Sequence, residues 1–196
     1  MPKFKLLSPE LVEKGHIQKR QVAVLENYQV GTLIVGAVSK IKKHEHKEDW
    51  EVYIEIPKGK VIGVCDIGES HELENDTFDS MYVLSIKGKN GVPKFEQHSL
   101  EWVNNEHYKE CKIAVLENYE IGIITLNPFS KIEKHKHENE WEIYAETPWG
   151  RVLSVCHVGE SHGLENNTHH SLDVLYIKGK NGVPIPDDED IKNFVV

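Results

Sequence analysis

The amino-acid sequence predicts an all-β protein built from two tandem copies of one small unit, each copy a barrel or a sandwich. Short segments rich in Val, Ile and Tyr alternate with Gly, Pro, Asn and Asp, a pattern typical of strands and turns. The chain also aligns with itself without a gap when it is shifted by 91 positions. An apolar fraction of 39% over 196 residues is enough for a core in each copy.

The repeat covers nearly the whole chain. Residues 4–93 and 95–184 share 46 identities in 90 aligned positions, including the segments AVLENY, GESH and IKGKNGVP. A unit of this length is the size of a small domain, and two copies favour tandem domains over a solenoid. We therefore expect one domain at 1–94 and a second at 95–196, with the boundary near Lys94 and a short acidic tail after residue 185.

The elements of each unit follow from local composition. In the first unit we expect strands at QVGTLIVGAV, WEVYIEI, KVIGVC and MYVLSIK, with hairpin turns at PKG from residue 57 and KNG from residue 89. Only two segments favour helix, SPELVEKG from residue 8 and SLEWVNNEHYKE from residue 99, because a Ser cap precedes early acidic residues. The prediction is thus all-β with minor helical segments.

Composition argues against several classes of partner. The net charge of −9 and the scattered lysines disfavour nucleic acid, because phosphate-backbone binding needs a basic face. The first residues lack a secretory signal and no segment has the apolar length of a membrane span, so we expect no membrane association and a cytoplasmic location. Cys65, Cys111 and Cys156 form no CxxC pair, which disfavours a disulfide framework or a thiolate zinc site.

The segment KHEHKEDWEVY, residues 43–53, carries the chemistry of the first unit. His44 and His46 project from one face of a strand because side chains alternate faces. Glu51 would point to the other face of a straight strand, so KEDW is predicted to turn the chain and place Glu51 beside the histidines. His71, after the turn at Gly68, supplies a fourth group. Three neutral imidazoles and one carboxylate suit a divalent first-row metal.

The second unit repeats this set. KHKHENEWEIY, residues 134–144, provides His135, His137 and Glu142, and the second GESH provides His162. An isolated His-x-His arises by chance in a chain with twelve histidines. Four matched ligand types in both copies favour metal binding instead. The alternative is a barrel interior filled by hydrogen-bonded histidines after loss of the metal.

These residues resemble the two motifs of the cupin superfamily. H-x-H-x4-E matches His44, His46 and Glu51, and G-x-x-H-x-x-x-N matches Gly68, His71 and Asn75; the second copy matches at His135, His137, Glu142, Gly159, His162 and Asn166. The chain thus resembles a two-domain cupin, a bicupin. The resemblance implies a jelly-roll barrel in each half with one divalent transition metal, Fe, Mn, Ni, Co or Zn, inside it.

The chain also departs from the cupin pattern. Val38 and Phe129 stand where the first motif is usually preceded by Gly, and Asp66 and His157 stand where the second motif usually has Pro. These departures affect loop shape and leave the subfamily unassigned.

Two tyrosines are candidate catalytic residues. Tyr53 and Tyr144 share strand parity with Glu51 and Glu142, so they should face the interior near the metal, where a phenol could donate a proton. Core packing with a satisfied hydroxyl is the alternative.

The copies differ at positions such as Asp66 and His157, Phe78 and His169, and Ser85 and Tyr176. One hypothesis is that some of these residues line the two cavities, so that the halves hold similar metals but treat different ligands or steps; neutral drift on the surface is the alternative.

The resemblance leaves three function classes open. The first is a metalloenzyme acting on a small oxygen-rich molecule, as cupin dioxygenases, oxalate decarboxylases and sugar-phosphate isomerases do. The second is a non-catalytic module that binds or senses a metal with a small ligand. A purely structural metal is disfavoured. The expected partner is a small-molecule ligand. Barrel faces are expected to pair either between two copies in a homodimer or between the two halves of one chain.

Overall fold

The computed structural model describes residues 5–6, 12–14, 16–91, 96–97 and 102–183. Within these ranges the ordered elements are all β-strands, and the chain divides into two compact units. The all-β prediction is confirmed. The expected boundary at Lys94 and the acidic tail lie outside the described residues, and the described chain has no helix long and apolar enough to cross a membrane.

The first unit contains a seven-stranded sheet and a two-stranded sheet. The large sheet has the order β1-β3-β4-β9-β6-β7, with β2 also paired to β3, and β5 pairs β8 in the small sheet. All of these pairs are antiparallel. The strands are β1 (Lys5–Leu6), β2 (Val12–Lys14), β3 (Ile17–Val24), β4 (Tyr28–Val35), β5 (Ser39–Glu45), β6 (Asp49–Ile56), β7 (Lys60–Cys65), β8 (Ser70–Asn75) and β9 (Met81–Lys89).

The second unit has the same order of strands. Its large sheet runs β10-β12-β13-β18-β15-β16, with β11 also paired to β12, and β14 pairs β17. The segment AVLENY forms the same hairpin in both units, joining β3 to β4 and β12 to β13. The strands are β10 (Glu96–Gln97), β11 (Trp102–Asn104), β12 (Tyr108–Leu116), β13 (Tyr119–Leu126), β14 (Ser130–His135), β15 (Glu140–Glu146), β16 (Arg151–Cys156), β17 (His162–Asn166) and β18 (Leu172–Lys180).

In each unit the apolar faces of the two sheets pack on one another, as in a jelly roll. In the first unit Leu33 and Val83 from the large sheet share a buried cluster with Leu73 from β8, and Ile41 of β5 packs against it. Alternate residues of the large sheet supply this inner face, since side chains of a strand alternate sides. The strand order thus brings β5 and β8, which carry the histidines, over the face that carries Glu51.

The predicted helical segments are wrong where the structure describes them. Val12–Lys14 and Trp102–Asn104 are strands paired with β3 and β12, and Tyr108 begins β12. Edge pairing to an existing sheet satisfies the backbone groups that a one-turn helix would leave open. Residues 8–11 and 99–101 lie outside the described residues.

The two expected hairpin turns differ in outcome. Residues 57–59 form the turn of the β6–β7 hairpin, as predicted. Residues 90–91 also form a turn, but it is no hairpin, because β9 pairs with β4 and β6.

The loops that depart from the cupin pattern keep the backbone shape that glycine favours. Val38 and Phe129 have positive φ angles of 48° and 52°. Each amide is hydrogen-bonded to a carbonyl of the facing loop, Val38 to Thr77 and Phe129 to Thr168. A left-handed conformation is costly for a β-branched residue such as Val38, so the facing loop imposes it.

Candidate metal centres

The first cluster combines side chains from both sheets. His44 lies on β5 directly opposite His71 on β8, with a register shift in β5 between Ile41 and His44. His46 follows β5, and a turn at residues 47–48 leads into β6, which carries Glu51. The predicted turn therefore does place Glu51 beside the histidines, although Trp50 belongs to the strand and not to the turn.

The four side chains of the first cluster converge on one point. Each offers a donor atom such that all four atoms lie within 4.8 Å of one another. His46 Nε2 is 2.8 Å and His71 Nε2 is 3.4 Å from Glu51 Oε2. The Glu51 side chain is 1% exposed, so its charge requires compensation from its neighbours.

Hydrogen bonds fix the ring orientation of two histidines. His44 Nδ1 donates to the Lys42 carbonyl at 2.9 Å, because a carbonyl can only accept. His71 Nδ1 lies 2.7 Å from Cys65 Sγ, whose thiol has the carbonyls of Asp66 and Glu69 as acceptors. The proton is thus held on Nδ1, and the Nε2 lone pair is free to coordinate.

The electrostatics of the first cluster suit metal ligands. Burial lowers the pKa values of His46 and His71, and the next cause is the charge of Lys87 for His46 and the adjacent His44 for His71; together these outweigh Glu51, which raises both pKa values. Burial alone would raise the pKa of Glu51, but Lys87 and hydrogen bonds from Ser85 and Tyr53 outweigh it and hold that pKa below its usual value. Neutral imidazoles beside an ionised carboxylate are the protonation states that coordination needs.

The second cluster has the same arrangement. His135 Nδ1 donates to the Glu133 carbonyl at 3.0 Å, and His162 Nδ1 lies 3.2 Å from the Glu160 carbonyl. The Nε2 atoms of His162 and His137 lie 3.0 and 3.2 Å from Glu142 Oε2. The four donor atoms again lie within 4.8 Å of one another.

Two donor atoms of the second cluster indicate that a metal fits there. His137 Nε2 and Glu142 Oε1 are buried, and neither makes a hydrogen bond within the described part of the chain. Glu142 Oε1 forms an ion pair with Lys178 Nζ at 3.5 Å. A buried acceptor that receives no hydrogen bond is costly, and a metal cation among these lone pairs would reduce the cost.

Both predicted tyrosines reach their clusters. The Tyr53 hydroxyl donates to Glu51 Oε2 at 2.9 Å and lies 3.2 Å from His71 Nε2. The Tyr144 hydroxyl donates to Glu142 Oε2 at 2.7 Å. Burial, followed by the adjacent carboxylate, raises both tyrosine pKa values far above the usual value, so both phenols keep their protons. Their catalytic role stays a prediction.

A cavity of about 340 Å³ opens onto the first cluster. Its wall combines cluster residues, two lysines and an apolar side. The lining residues are Ile17, Lys19, Leu33, Ile41, His44, His46, Glu51, Tyr53 and Lys87. A second recess of about 90 Å³ adjoins it at Ser85 and Gly31.

The corresponding wall of the second unit is built differently. The position of Ser85 is taken by Tyr176, which is fully buried, crosses β13 over Gly122 and hydrogen-bonds Glu120. The position of Lys19 is taken by Glu110, which lies 3.9 Å from Lys178. Tyr176 therefore fills the space that is a recess beside Ser85.

Sequence reasoning missed several residues around the clusters. Lys87 lies 3.4 Å from Glu51 Oε2, and its place directly opposite Glu51 on β9 could be found only from the strand register. Cys65 Sγ lies 2.7 Å from His71 Nδ1 and orients that ring. The Glu69 carboxylate accepts a hydrogen bond from the Asp66 amide within the turn.

Comparison with known proteins gives a likeness at the level of fold. No protein-family model and no curated protein matches the chain. Among solved structures, AerE from Microcystis aeruginosa matches at a TM-score of 0.51 and 13% identity, covering 91% of this chain and 99% of that one. An oxalate decarboxylase matches at 0.52 and 12%, covering 90% and 76%, and the S161A mutant of Bacillus subtilis oxalate decarboxylase OxdC at 0.51 and 11%, covering 94% and 78%. These likenesses concern the fold alone and support the expected cupin-type jelly-roll arrangement, and the same strand order recurs in both units.

Proposed function

We propose that the protein is a bicupin that binds one divalent transition metal in each half and acts on a small oxygen-rich molecule at the first of these centres. One observation carries the proposal: three imidazoles and one carboxylate converge within 4.8 Å in each unit, on opposing sheets of the same fold. Fe, Mn, Ni, Co and Zn all accept such a donor set. When bound, the ion supplies a Lewis acid that polarises oxygen atoms of a substrate.

The residues of the first unit do the remaining work. Ile17, Leu33 and Ile41 form an apolar side of the cavity that excludes water from the cluster. The Tyr53 phenol keeps its proton at neutral pH and lines the cavity beside Glu51, where it can donate to a substrate oxygen. The substrate class is an organic acid or a sugar derivative, and the reaction is a decarboxylation, an isomerisation or a dioxygenation.

The second unit favours a different use of its metal. Tyr176 and Glu110 occupy positions that are Ser85 and Lys19 in the first unit, and Tyr176 belongs to the buried apolar cluster. A centre whose adjoining space is filled by Tyr176 suits metal or ligand binding without turnover. If both halves bind a metal without turnover, the protein has the alternative function of a non-catalytic binding or sensor module.

Metal analysis followed by a substrate panel tests the proposal. Protein purified without a His-tag should contain two equivalents of a first-row metal. Small organic acids and sugar phosphates are then tested with Fe(II), Mn(II), Ni(II) and Zn(II), in air and under nitrogen. Oxygen uptake identifies a dioxygenase, and oxygen-independent conversion identifies a decarboxylase or isomerase. Ligand affinity without turnover under every condition favours the binding module, and absence of metal overturns the proposal.

Association and location are further proposals that the fold does not address. We propose that the chain forms a homodimer through barrel faces or edge strands and works in the cytoplasm. Sedimentation analysis distinguishes a dimer from a monomer whose two halves pair with each other.

A further inference from the structure

The cavity of the first unit contains two lysines, although one is enough to balance the negative charge of Glu51. Lys87 is paired with the buried Glu51 carboxylate at 3.4 Å. Lys19 lines the same cavity, and in the described parts of the chain no carboxylate lies within ion-pairing distance of its ammonium. Once a divalent metal neutralises Glu51 and more, both ammonium groups face the cavity without a counter-anion.

The two lysines are close enough to oppose each other. Lys19 is exposed overall, but desolvation of its ammonium at the cavity wall and then the charge of Lys87 lower its pKa. Placing two like charges on one cavity is unfavourable unless an anion completes the arrangement. The apolar side formed by Ile17, Leu33 and Ile41 leaves the rest of such an anion with an uncharged surface to contact.

The second unit removes each of these features. Glu110 replaces Lys19 on β12 and approaches Lys178 at 3.9 Å, so the remaining lysine lies between Glu110 and Glu142. Lys112 on the same strand is bound to Glu120 at 2.6 Å. Lys112 and Lys178 therefore both have carboxylate partners, and Tyr176 occupies the adjoining space.

We propose that Lys19 and Lys87 form an anion-binding wall that selects a small carboxylate-bearing ligand, and that this selection is confined to the first unit. The ligand places its carboxylate between the lysines and the metal centre and its uncharged, apolar body against Ile17, Leu33 and Ile41. This inference rests on the proposed function in placing the ligand beside the metal. Its distinctive claim is that Lys19, which is not one of the four proposed metal ligands, determines anion affinity.

The test measures binding of 4-methyl-2-oxopentanoate and of its uncharged methyl ester to the Zn(II)-loaded chain by calorimetry. The acid should bind once per chain and at least about tenfold more tightly than the ester, because a charge-assisted contact is lost in the ester. Lys19→Met should weaken the acid by about tenfold and leave the ester unchanged. Lys19→Arg should restore most of the affinity, and Lys60→Met, an equal charge change on exposed β7, should have no effect.

The outcomes separate this inference from the proposed function. Metal content and thermal midpoint are measured for every variant, so a folding defect is not mistaken for a binding defect. Equal affinity of acid and ester, undiminished affinity in Lys19→Met, two acids per chain, or no binding of the acid overturns the anion-binding wall even if both metals are present. If the protein takes up no Zn(II) but still prefers the acid through Lys19, the metal proposal fails and the anion-binding wall stands.

Discussion

The two units contain the same metal-ligand set in different surroundings. In both, a carbonyl or thiol holds the Nδ1 proton of a histidine, and a tyrosine hydroxyl donates to the cluster carboxylate. The surroundings of that carboxylate differ: Ser85 donates to Glu51 Oε1 at 2.6 Å, whereas Glu142 Oε1 has no hydrogen bond within the described residues. The comparison shows that the metal-ligand residues and the residues around them occupy separate sequence positions. The surroundings can therefore differ between the units while the ligand set stays the same.

The largest expected effect separates the two centres completely. His44→Ala combined with His46→Ala removes two of four ligands and should reduce bound metal from two equivalents to one. His135→Ala with His137→Ala is the matched control and should also leave one equivalent. Inductively coupled plasma mass spectrometry measures both variants. Two retained ions in either double variant would contradict the assignment of that cluster.

The second-largest effect concerns the two tyrosines, whose substitutions are expected to have unequal effects on turnover. Tyr53→Phe should lower turnover of any substrate found in the panel by about a hundredfold, because a positioned proton donor is lost beside the cavity. Tyr144→Phe removes the same hydroxyl from the second unit, where Tyr176 fills the space beside the carboxylate, and should change turnover far less. Metal content is expected to stay constant in both, and equal loss of turnover in the two variants would assign the cavity no special role.

A third change tests what the units share. A Cβ atom at Gly88 or Gly179 would lie 2.2 Å from the ring of Trp50 or Trp141, so these positions need glycine. Gly88→Ala and Gly179→Ala should each lower the free energy of unfolding of the affected unit by about 1–3 kcal/mol through overpacking. Chemical denaturation of metal-free protein measures this, with Lys60→Ala at an exposed position of β7 as the control. A marked inequality between the two variants would show that the scaffolds differ in rigidity as well as in their walls.

The smallest expected effect is a pH dependence of the metal-free first unit. The pKa values of His46 and His71 are lowered in the folded state, so below the unfolded value near 6.5 the unfolded chain binds more protons than the folded one. Stability is therefore fully present above that pH and falls as the pH is lowered. The lowered pKa of Glu51 extends the same trend below its usual value of 4.5. Denaturant midpoints in a chelator at pH 7.5, 6 and 5 should decrease, and His71→Gln should reduce the decrease; a flat profile would contradict the pKa directions.

Much of the fold could be predicted because the information is periodic and local. The strands and the β6–β7 turn are visible in composition, and the offset of 91 gives two units of one design. Helix at 8–15 and 99–110 was wrong in its described parts because a Ser cap is a local signal, and pairing with β3 and β12 overrides it. The turn before Glu51 was predictable because Glu51 and His46 would point to opposite faces of a straight strand, so the chain must turn between them for both to face the metal.

The sequence by itself determined the donor set: His-x-His, the spacing to Glu51 and the later His71 are short-range patterns, and their recurrence in the second half identifies the same chemistry there. Only the tertiary structure decided the surroundings of each centre. Lys19 and Lys87 come from β3 and β9, which are far apart in sequence and share a cavity only because β4 lies between them in the sheet. The physical reason is that strand order and register, which depend on long-range pairing, fix which side chains share a face. The functional consequence of a difference between the units, such as Lys19 against Glu110, can therefore be inferred only when the neighbouring residues in the fold are known.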